Sequence, residues 1–325
     1  MNARLHRPNP PNLRRLARVL REGGLVAIPT ETVYGLAAHA LDARACRAIF
    51  RAKGRPANDP LIVHVLDLAH AEQLAEFNDA ARRLTRAFWP GPLTLVLPKR
   101  ACVPAIVTSG GATVALRAPA HSVARRLLKR AGVPLAAPSA NPFGYISPTS
   151  AAHVRDGLGS RIPHILDGGE CDVGVESTVL DLTQPSRPRI LRPGAVSAAE
   201  IAQVLRRPVT TVRRTGKRGA RLLAPGLLAR HYSPRTPLRI VTRPQPADRR
   251  DAVIRLRRPA GQVLASTYWL SERGALSEIA HNLYRVLRAA DAGGHRRILV
   301  EKLPPTTGGL AAAITDRLQR AAARR

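Results

Sequence analysis

Five short segments of the 325-residue chain place hydroxyls and cations where apolar runs stop. The first is Pro29-Thr30-Glu31-Thr32-Val33-Tyr34-Gly35-Leu36. Strand ends in open α/β sheets are where ligands bind; a turn whose hydroxyls satisfy one another also explains the segment. The second is Lys53-Gly54-Arg55-Pro56, two cations around a glycine. Lysine acts as a point charge and arginine as a two-pronged donor, which suits phosphate. It leads to Pro60-Leu61-Ile62-Val63-His64, where His64 interrupts an apolar strand and is either structural or a ligand contact. In the third, Thr113 to Pro119, Arg117 ends an apolar strand. A buried arginine needs an anionic partner, from the protein or from a substrate. The fourth, Ala136 to Pro142 followed by Ser147-Pro148-Thr149, offers Ser139, Asn141, Ser147 and Thr149 as neutral hydrogen-bonding groups. A proline-rich surface loop is its other reading. The fifth joins Gly174-Val175-Glu176-Ser177-Thr178-Val179 to Leu191-Arg192-Pro193-Gly194. Taken together, the segments describe a cleft that positions anions and supplies no covalent nucleophile.

The elements that must hold these segments follow from periodicity. Leu13, Leu16, Ala17 and Leu20 at helical spacing predict a helix over residues 12–22, with Asn12 at its start and Gly23-Gly24 at its end. Leu25–Ile28 reads as a buried strand. Asp42 opens a helix carrying Cys46, Ile49 and Phe50 on one face. Further helices are expected at 79–88, 122–131 and 150–157, and strands at 61–65, 92–97, 113–117, 134–137, 163–166, 175–182 and 189–192. Ser197 and Glu200 form a capping box for a helix ending near Arg206. Residues 213–237 are basic and turn-rich. Beyond them, strands at 238–242, 262–266 and 297–301 alternate with helices near 247–256, 277–291 and 309–322. Such alternation predicts an α/β fold. The expected organisation is a first domain over 1–207, a linker or lid over 208–237, and a smaller domain over 238–325.

Lys+Arg number 52 against 22 Asp+Glu, a formal net charge of +30. That surplus attracts polyanions or nucleotide phosphates. Arginine spread along the whole chain is equally the mark of a compositional bias. Aromatic residues make up only 3 %, too few for base-stacking platforms and so against a non-catalytic RNA-binding protein. The three cysteines lie far apart and form no C-x-x-C, which argues against a disulfide framework or zinc knuckle. Walker-type phosphate loops, G-x-G-x-x-G, H-E-x-x-H and G-x-S-x-G are absent. No apolar run reaches the roughly 18 residues of a membrane span, and a cytoplasmic protein without membrane contact is expected.

At these residues the chain resembles the YrdC family. PTETVYGL, KGRP with PLIVHV, WPGPLTLVL, VALRAP, APSANPFGYISPT, GVESTVLDL and ILRPG occur in the family's order over about residues 10–207. LAPGLLARHYSP and the closing GGLAAAITDRLQRAA resemble its two-domain form. The resemblance implies a twisted open α/β sheet with a large basic cleft, joined to a smaller Rossmann-like domain. It implies a nucleotidyltransferase reaction in which L-threonine, bicarbonate or CO2, and ATP give L-threonylcarbamoyladenylate and pyrophosphate. Mg2+ would be held mainly by ATP, with no organic cofactor and no protein metal site. The downstream partner would be the threonylcarbamoyltransferase machinery that modifies tRNA; direct RNA binding is a further expectation. A hydrogenase-maturation carbamoyl-adenylate enzyme contains a similar domain, but also acylphosphatase-like and zinc-finger segments that are missing here.

Carried over by position, Thr30, His64, Arg117, Ser139 and Ser177 match threonine-binding residues. Arg55, Thr113, Asn141, Thr149, Arg192 and Tyr232 match ATP-binding residues. Lys53 and Arg55 form the family's cationic pair, taken as catalytic. Tyr232 lies in the linker, which by analogy folds over the nucleotide. One position departs from the pattern: the family has Asn directly before the proline of PL, in contact with ATP, and this chain has Asp59.

Overall fold

A computed structural model describes residues 2–212, 231–246, 248, 250–306 and 308–323. The larger unit runs β1 (Arg4–His6), α1 (Pro10–Arg21), β2 (Val26–Ile28), β3 (Gly35–His39), α2 (Ala43–Lys53), β4 (Ile62–His64), α3 (Leu68–Glu72), α4 (Asp79–Phe88), β5 (Leu93–Pro98) and β6 (Thr113–Arg117). It continues with α5 (Ser122–Ala131), β7 (Leu135–Ala136), α6 (Ala151–Leu158), β8 (His164–Leu166), β9 (Thr178–Asp181), β10 (Arg189–Arg192), α7 (Ala198–Leu205) and β11 (Thr210–Thr211). The smaller unit is β12 (Leu238–Val241), β13 (Asp251–Arg257), β14 (Thr267–Ser271), α8 (Leu276–Ala292), β15 (Arg297–Glu301) and α9 (Gly309–Ala321).

The first eleven strands form one mixed sheet in the order β1-β8-β2-β3-β7-β4-β6-β5-β9-β10-β11. Side chains alternate across a strand with period two, and here the alternation divides the chemistry. Val63, Val114, Leu116, Leu93, Leu95, Leu97 and Leu180 point into the main core beneath α2, α4 and α7. Their neighbours Ile62, Val96, Ala115 and Val179, with Leu191, form a small apolar cluster on the opposite face. Helices α1 and α5 cover only the other half of that face, over β2, β3 and β7.

β12, β15, β13 and β14 form a second sheet in that order, all parallel. A purely parallel sheet needs cover on both faces. Its core is shared with the larger unit: Val33, Ile146, Val175 and Tyr232 are buried together with Leu283, Tyr284, Ile314 and Leu318. Among the described residues no helix is long and apolar enough to cross a membrane.

Several boundaries differ from the sequence reading. Asn9, not Asn12, caps α1, and its side chain accepts from Asn12 N–H at 3.0 Å; Pro10 and Pro11 fit the first turn, where no N–H is needed. The polar turn after β2 leads straight back as β3, antiparallel to β2. The stretch expected as a helix near 247–256 is instead the central strand β13. Buried Ala252-Val253-Ile254 pack on two neighbouring strands, and that tertiary pairing overrides a helical pattern. The strand expected at 262–266 lies at Thr267–Ser271, and the one expected at 175–182 is confined to Thr178–Asp181. Of the expected linker, Thr210 and Thr211 pair with β10, and residues 213–230 fall outside the described residues.

Candidate active site

On the open half of the large sheet, the alternation brings His64 and Arg117 to the face that carries Ile62 and Ala115, and their strands pair side by side with His64 opposite Arg117. A cavity there is lined by Thr30, Thr32, Arg55, His64, Arg117, Ser139, Glu176, Ser177, Arg192, His231 and Tyr232, among others. The space left for water-sized molecules is about 40 Å³, enough for a few waters.

Arg117 is the best-defined group. Its Nη2 pairs with Glu31 Oε1 at 2.6 Å, its Nη1 donates to Thr32 Oγ at 2.8 Å, and its Nε donates to Gly91 O at 3.2 Å. Each terminal nitrogen carries a second N–H, so the guanidinium is oriented and still has donors in reserve. Burial pushes the Glu31 carboxyl up, and Arg117 outweighs it, leaving Glu31 below the usual carboxylate range. His64 is buried beside Arg117, and burial first and that cation second lower it to about 3. It is therefore neutral at pH 7, and its Nδ1 has no hydrogen-bond partner.

Ser177 ties two strands to a cation. Its hydroxyl lies 2.7 Å from Thr94 Oγ and accepts from Arg192 Nη2 at 3.1 Å, while its carbonyl accepts from Arg192 Nε. Arg55 follows Gly54, whose φ of 63° ends α2 in the left-handed region and turns the chain so that the arginine folds back. Arg55 pairs with Asp59 Oδ2 at 2.9 Å and donates to the carbonyls of Asp59 and Pro60. Asp59, where the family pattern has Asn, thus sits on the cation expected to hold phosphate.

Not every expected residue offers an uncommitted group to the cavity. The Thr30 hydroxyl is engaged by its own turn: it donates to Val33 O at 2.6 Å and accepts from the N–H groups of Thr32 and Val33. Lys53 is buried outside the lining and donates to the carbonyls of Ser139 and Asn141, tying down the loop that presents Ser139. Burial, with Arg55 nearby, holds its amine well below the usual lysine range. Thr149 lies 3.3 Å from His153 Nδ1, and Thr113 is half-buried at the start of β6. Asn141 donates to the carbonyls of Pro142 and Tyr145 and leaves Oδ1 buried without a partner.

Tyr232 and His231 narrow the cavity from the far side. Their rings meet edge-on with centroids 4.1 Å apart, and both the Tyr232 hydroxyl and His231 Nδ1 are buried without hydrogen-bond partners. Tyr232 adopts φ of 62°, a left-handed conformation that costs a non-glycine residue about 1–3 kcal/mol and concentrates at functional sites. Buried polar atoms normally have partners; here His64, Asn141, His231 and Tyr232 all hold unused ones.

Glu31, Thr32, Glu176 and His231 lie within the sequence motifs, where residue type and spacing alone assign them no role. Glu176 accepts from Ser147 Oγ at 2.6 Å, Tyr284 Oη at 2.8 Å and Arg317 Nε at 2.7 Å. The last two residues belong to the smaller unit and looked in sequence like ordinary helix positions. Burial alone would raise the Glu176 carboxyl; Arg317 and Arg192 bring it down to about 2, against an ordinary 4.5. Its stabilising charge is present above the ordinary carboxyl range and is lost as pH falls from 4.5 towards 2. The linkage amounts to about 3 kcal/mol. Urea unfolding at pH 5 and pH 2 should therefore show the wild type losing about 3 kcal/mol more than Glu176→Gln; equal losses would sink this reading.

Residues 18–194 match the Sua5–YciO–YrdC family model, described as telomere recombination, and residues 196–323 match the model described as the threonylcarbamoyl-AMP synthase C-terminal domain. The threonylcarbamoyl-AMP synthase of Pyrococcus abyssi is 42 % identical over 320 residues, covering 95 % of this chain and 93 % of that protein. That of Bacillus subtilis is 40 % identical over 329 residues, covering 97 % and 94 %. The crystal structure of P. abyssi Sua5 complexed with L-threonine superposes with a TM-score of 0.88 at 40 % identity, covering 99 % of this chain and 98 % of that one. On the length, order and identity of these matches, the chain belongs to the Sua5–YciO–YrdC family, in the two-domain form it shares with the threonylcarbamoyl-AMP synthases of P. abyssi and B. subtilis.

Proposed function

We propose that the chain is a threonylcarbamoyl-AMP synthase that joins L-threonine, CO2 from bicarbonate and the AMP part of ATP, releasing pyrophosphate. The carrying observation is that Arg117, His64, Ser139 and Ser177 share one cavity with Arg55 and Arg192. The threonine carboxylate takes the remaining N–H groups of Arg117. Neutral His64 offers Nδ1 to the substrate hydroxyl. The amine adds to CO2 and loses a proton to give the carbamate. A carbamate oxygen then bonds to the α-phosphorus while the bond to pyrophosphate breaks and its electron pair leaves with that group. Such a transfer needs alignment and charge neutralisation more than covalent help; Arg55 and Arg192 supply positive charge. Ile62, Val96, Ala115, Val179 and Leu191 provide an apolar floor suited to a base. The small free volume means that His231 and Tyr232 must shift to admit the nucleotide, consistent with a closing segment that excludes water from the labile carbamate.

Mg2+ fits as the nucleotide's own counter-ion. Among the described residues no group of three His, Cys, Asp or Glu side chains could cage a metal, so its ligands would be phosphate oxygens and water. When bound, it would neutralise charge on the phosphates. Lys53 acts in this scheme by holding the Ser139–Asn141 loop. The product, a mixed carbamic–phosphoric anhydride, is reactive and must be consumed by a threonylcarbamoyl transfer; the tRNA-modifying machinery is the proposed acceptor.

Mass spectrometry of products formed from ATP, bicarbonate and threonine tests the assignment, with serine run in parallel. Threonylcarbamoyl-AMP that requires all three reactants is the expected result. Pyrophosphate release indifferent to threonine would overturn it.

A further inference from the structure

Tyr232 is held in a left-handed conformation at the cavity wall, and a strained residue persists only when its surroundings over-determine it. The restraint comes from a residue 85 positions away. Arg317, on α9 of the smaller unit, is fully buried. Its guanidinium carbon lies 5.1 Å from the centroid of the Tyr232 ring. The same guanidinium pairs with Glu176 Oε2 at 2.7 Å and donates to Pro193 O at 3.0 Å. Glu176 immediately precedes Ser177, and Pro193 immediately follows Arg192. One side chain therefore touches the neighbours of two cavity cations or hydroxyls and the face of the residue that narrows the cavity. Tyr284, whose hydroxyl donates to Glu176, also packs on Tyr232, with ring centroids 5.7 Å apart.

Resting on the proposed synthase reading, we infer that Arg317 is a positioning residue for the reaction. Through it the smaller unit holds Tyr232, Ser177 and Arg192 in register for the nucleotide, without itself touching substrate. A buried guanidinium stacked on a ring is worth more than an exposed one, and its planar fork cannot be reproduced by an ammonium. Arg317→Lys should keep positive charge near Glu176 and lose both the stack and the link to Pro193.

The test uses the full-length protein and two variants, Arg317→Lys and the double variant Glu176→Gln/Arg317→Met, which removes both charges of the Arg317–Glu176 pair, keeps the volume filled and leaves Asp316, the other carboxylate on Arg317, paired with Arg320. Hydrogen exchange reads the peptide containing Ser233, whose N–H donates to Gly144 O at 2.9 Å. Steady-state kinetics read ATP and threonine separately. In folded variants, exchange at this peptide should accelerate and kcat/KM for ATP should fall about tenfold or more, with a much smaller change in the threonine KM. Wild-type exchange, or wild-type kcat/KM for ATP, in either folded variant overturns the inference. Wild-type protein that protects Ser233 but makes no pyrophosphate would count against the synthase reading and leave the anchor itself standing.

Discussion

Replacing Arg117 by Met should lower kcat/KM for threonine by about 10²–10³-fold, the cost of truncating one partner of a buried charge pair. The argument is geometric. Arg117 is oriented by Glu31, Thr32 and Gly91 before any substrate arrives, so its free N–H groups are aimed without further ordering. A carboxylate meeting them forms charge-assisted hydrogen bonds in a buried, poorly screened place. Removing the cation also strands Glu31, which is 5 % exposed, and an uncompensated buried charge is strongly destabilising. Glu31→Gln/Arg117→Met removes both charges and separates the two effects. If this double variant folds and still uses threonine within a few-fold of wild type, Arg117 is not the carboxylate anchor. In Glu31→Gln alone, Arg117 keeps its charge but loses one orienting partner, and a smaller rise in the threonine KM is expected.

The second large effect lies at the phosphate end. Arg55→Ala should reduce kcat/KM for ATP by about 10²-fold or more while threonine binding, read by calorimetry without nucleotide, stays near wild type. The ion pair with Asp59 adds a sign that a simple clamp lacks. ATP must compete with a carboxylate 2.9 Å from the guanidinium. Asp59→Asn removes that competitor and should lower the ATP KM several-fold. A higher ATP KM in Asp59→Asn would mean that the carboxylate assists nucleotide binding, and the competition argument would fall.

The sequence carried the cavity further than it carried the outline of the smaller unit. Residues at strand ends announce themselves because a charge or hydroxyl interrupts an apolar run: Arg117, His64, Ser177 and Arg192 are all of this kind, and all line one cavity. Asp59 was legible as a departure whose negative charge Mg2+ or Arg55 would have to offset, but the four-residue spacing across Pro56 did not reveal the fold-back that makes the pair with Arg55. Glu31 and Glu176 sat in view within quoted motifs, yet a carboxylate in an anion-binding cleft makes sense only once its arginine is seen. Arg317 and Tyr284 were hidden because burial of a helix face by another unit leaves no local mark. The Thr30 turn shows the reverse case, where the commonplace reading of self-satisfied hydroxyls describes the side chain. β13 was misread because a two-sided buried strand lacks clean alternation.

Val33, Ile146 and Val175 are packed among the apolar residues of α8 and α9. Neither half of the polypeptide can therefore melt without uncovering greasy surface on the other, and heat should unfold them in one cooperative step. A fragment cut after residue 207 would carry a raw apolar scar beside its own catalytic pocket, prone to clumping in solution. Low activity in such a fragment would report that wound as much as any chemistry removed with the missing half.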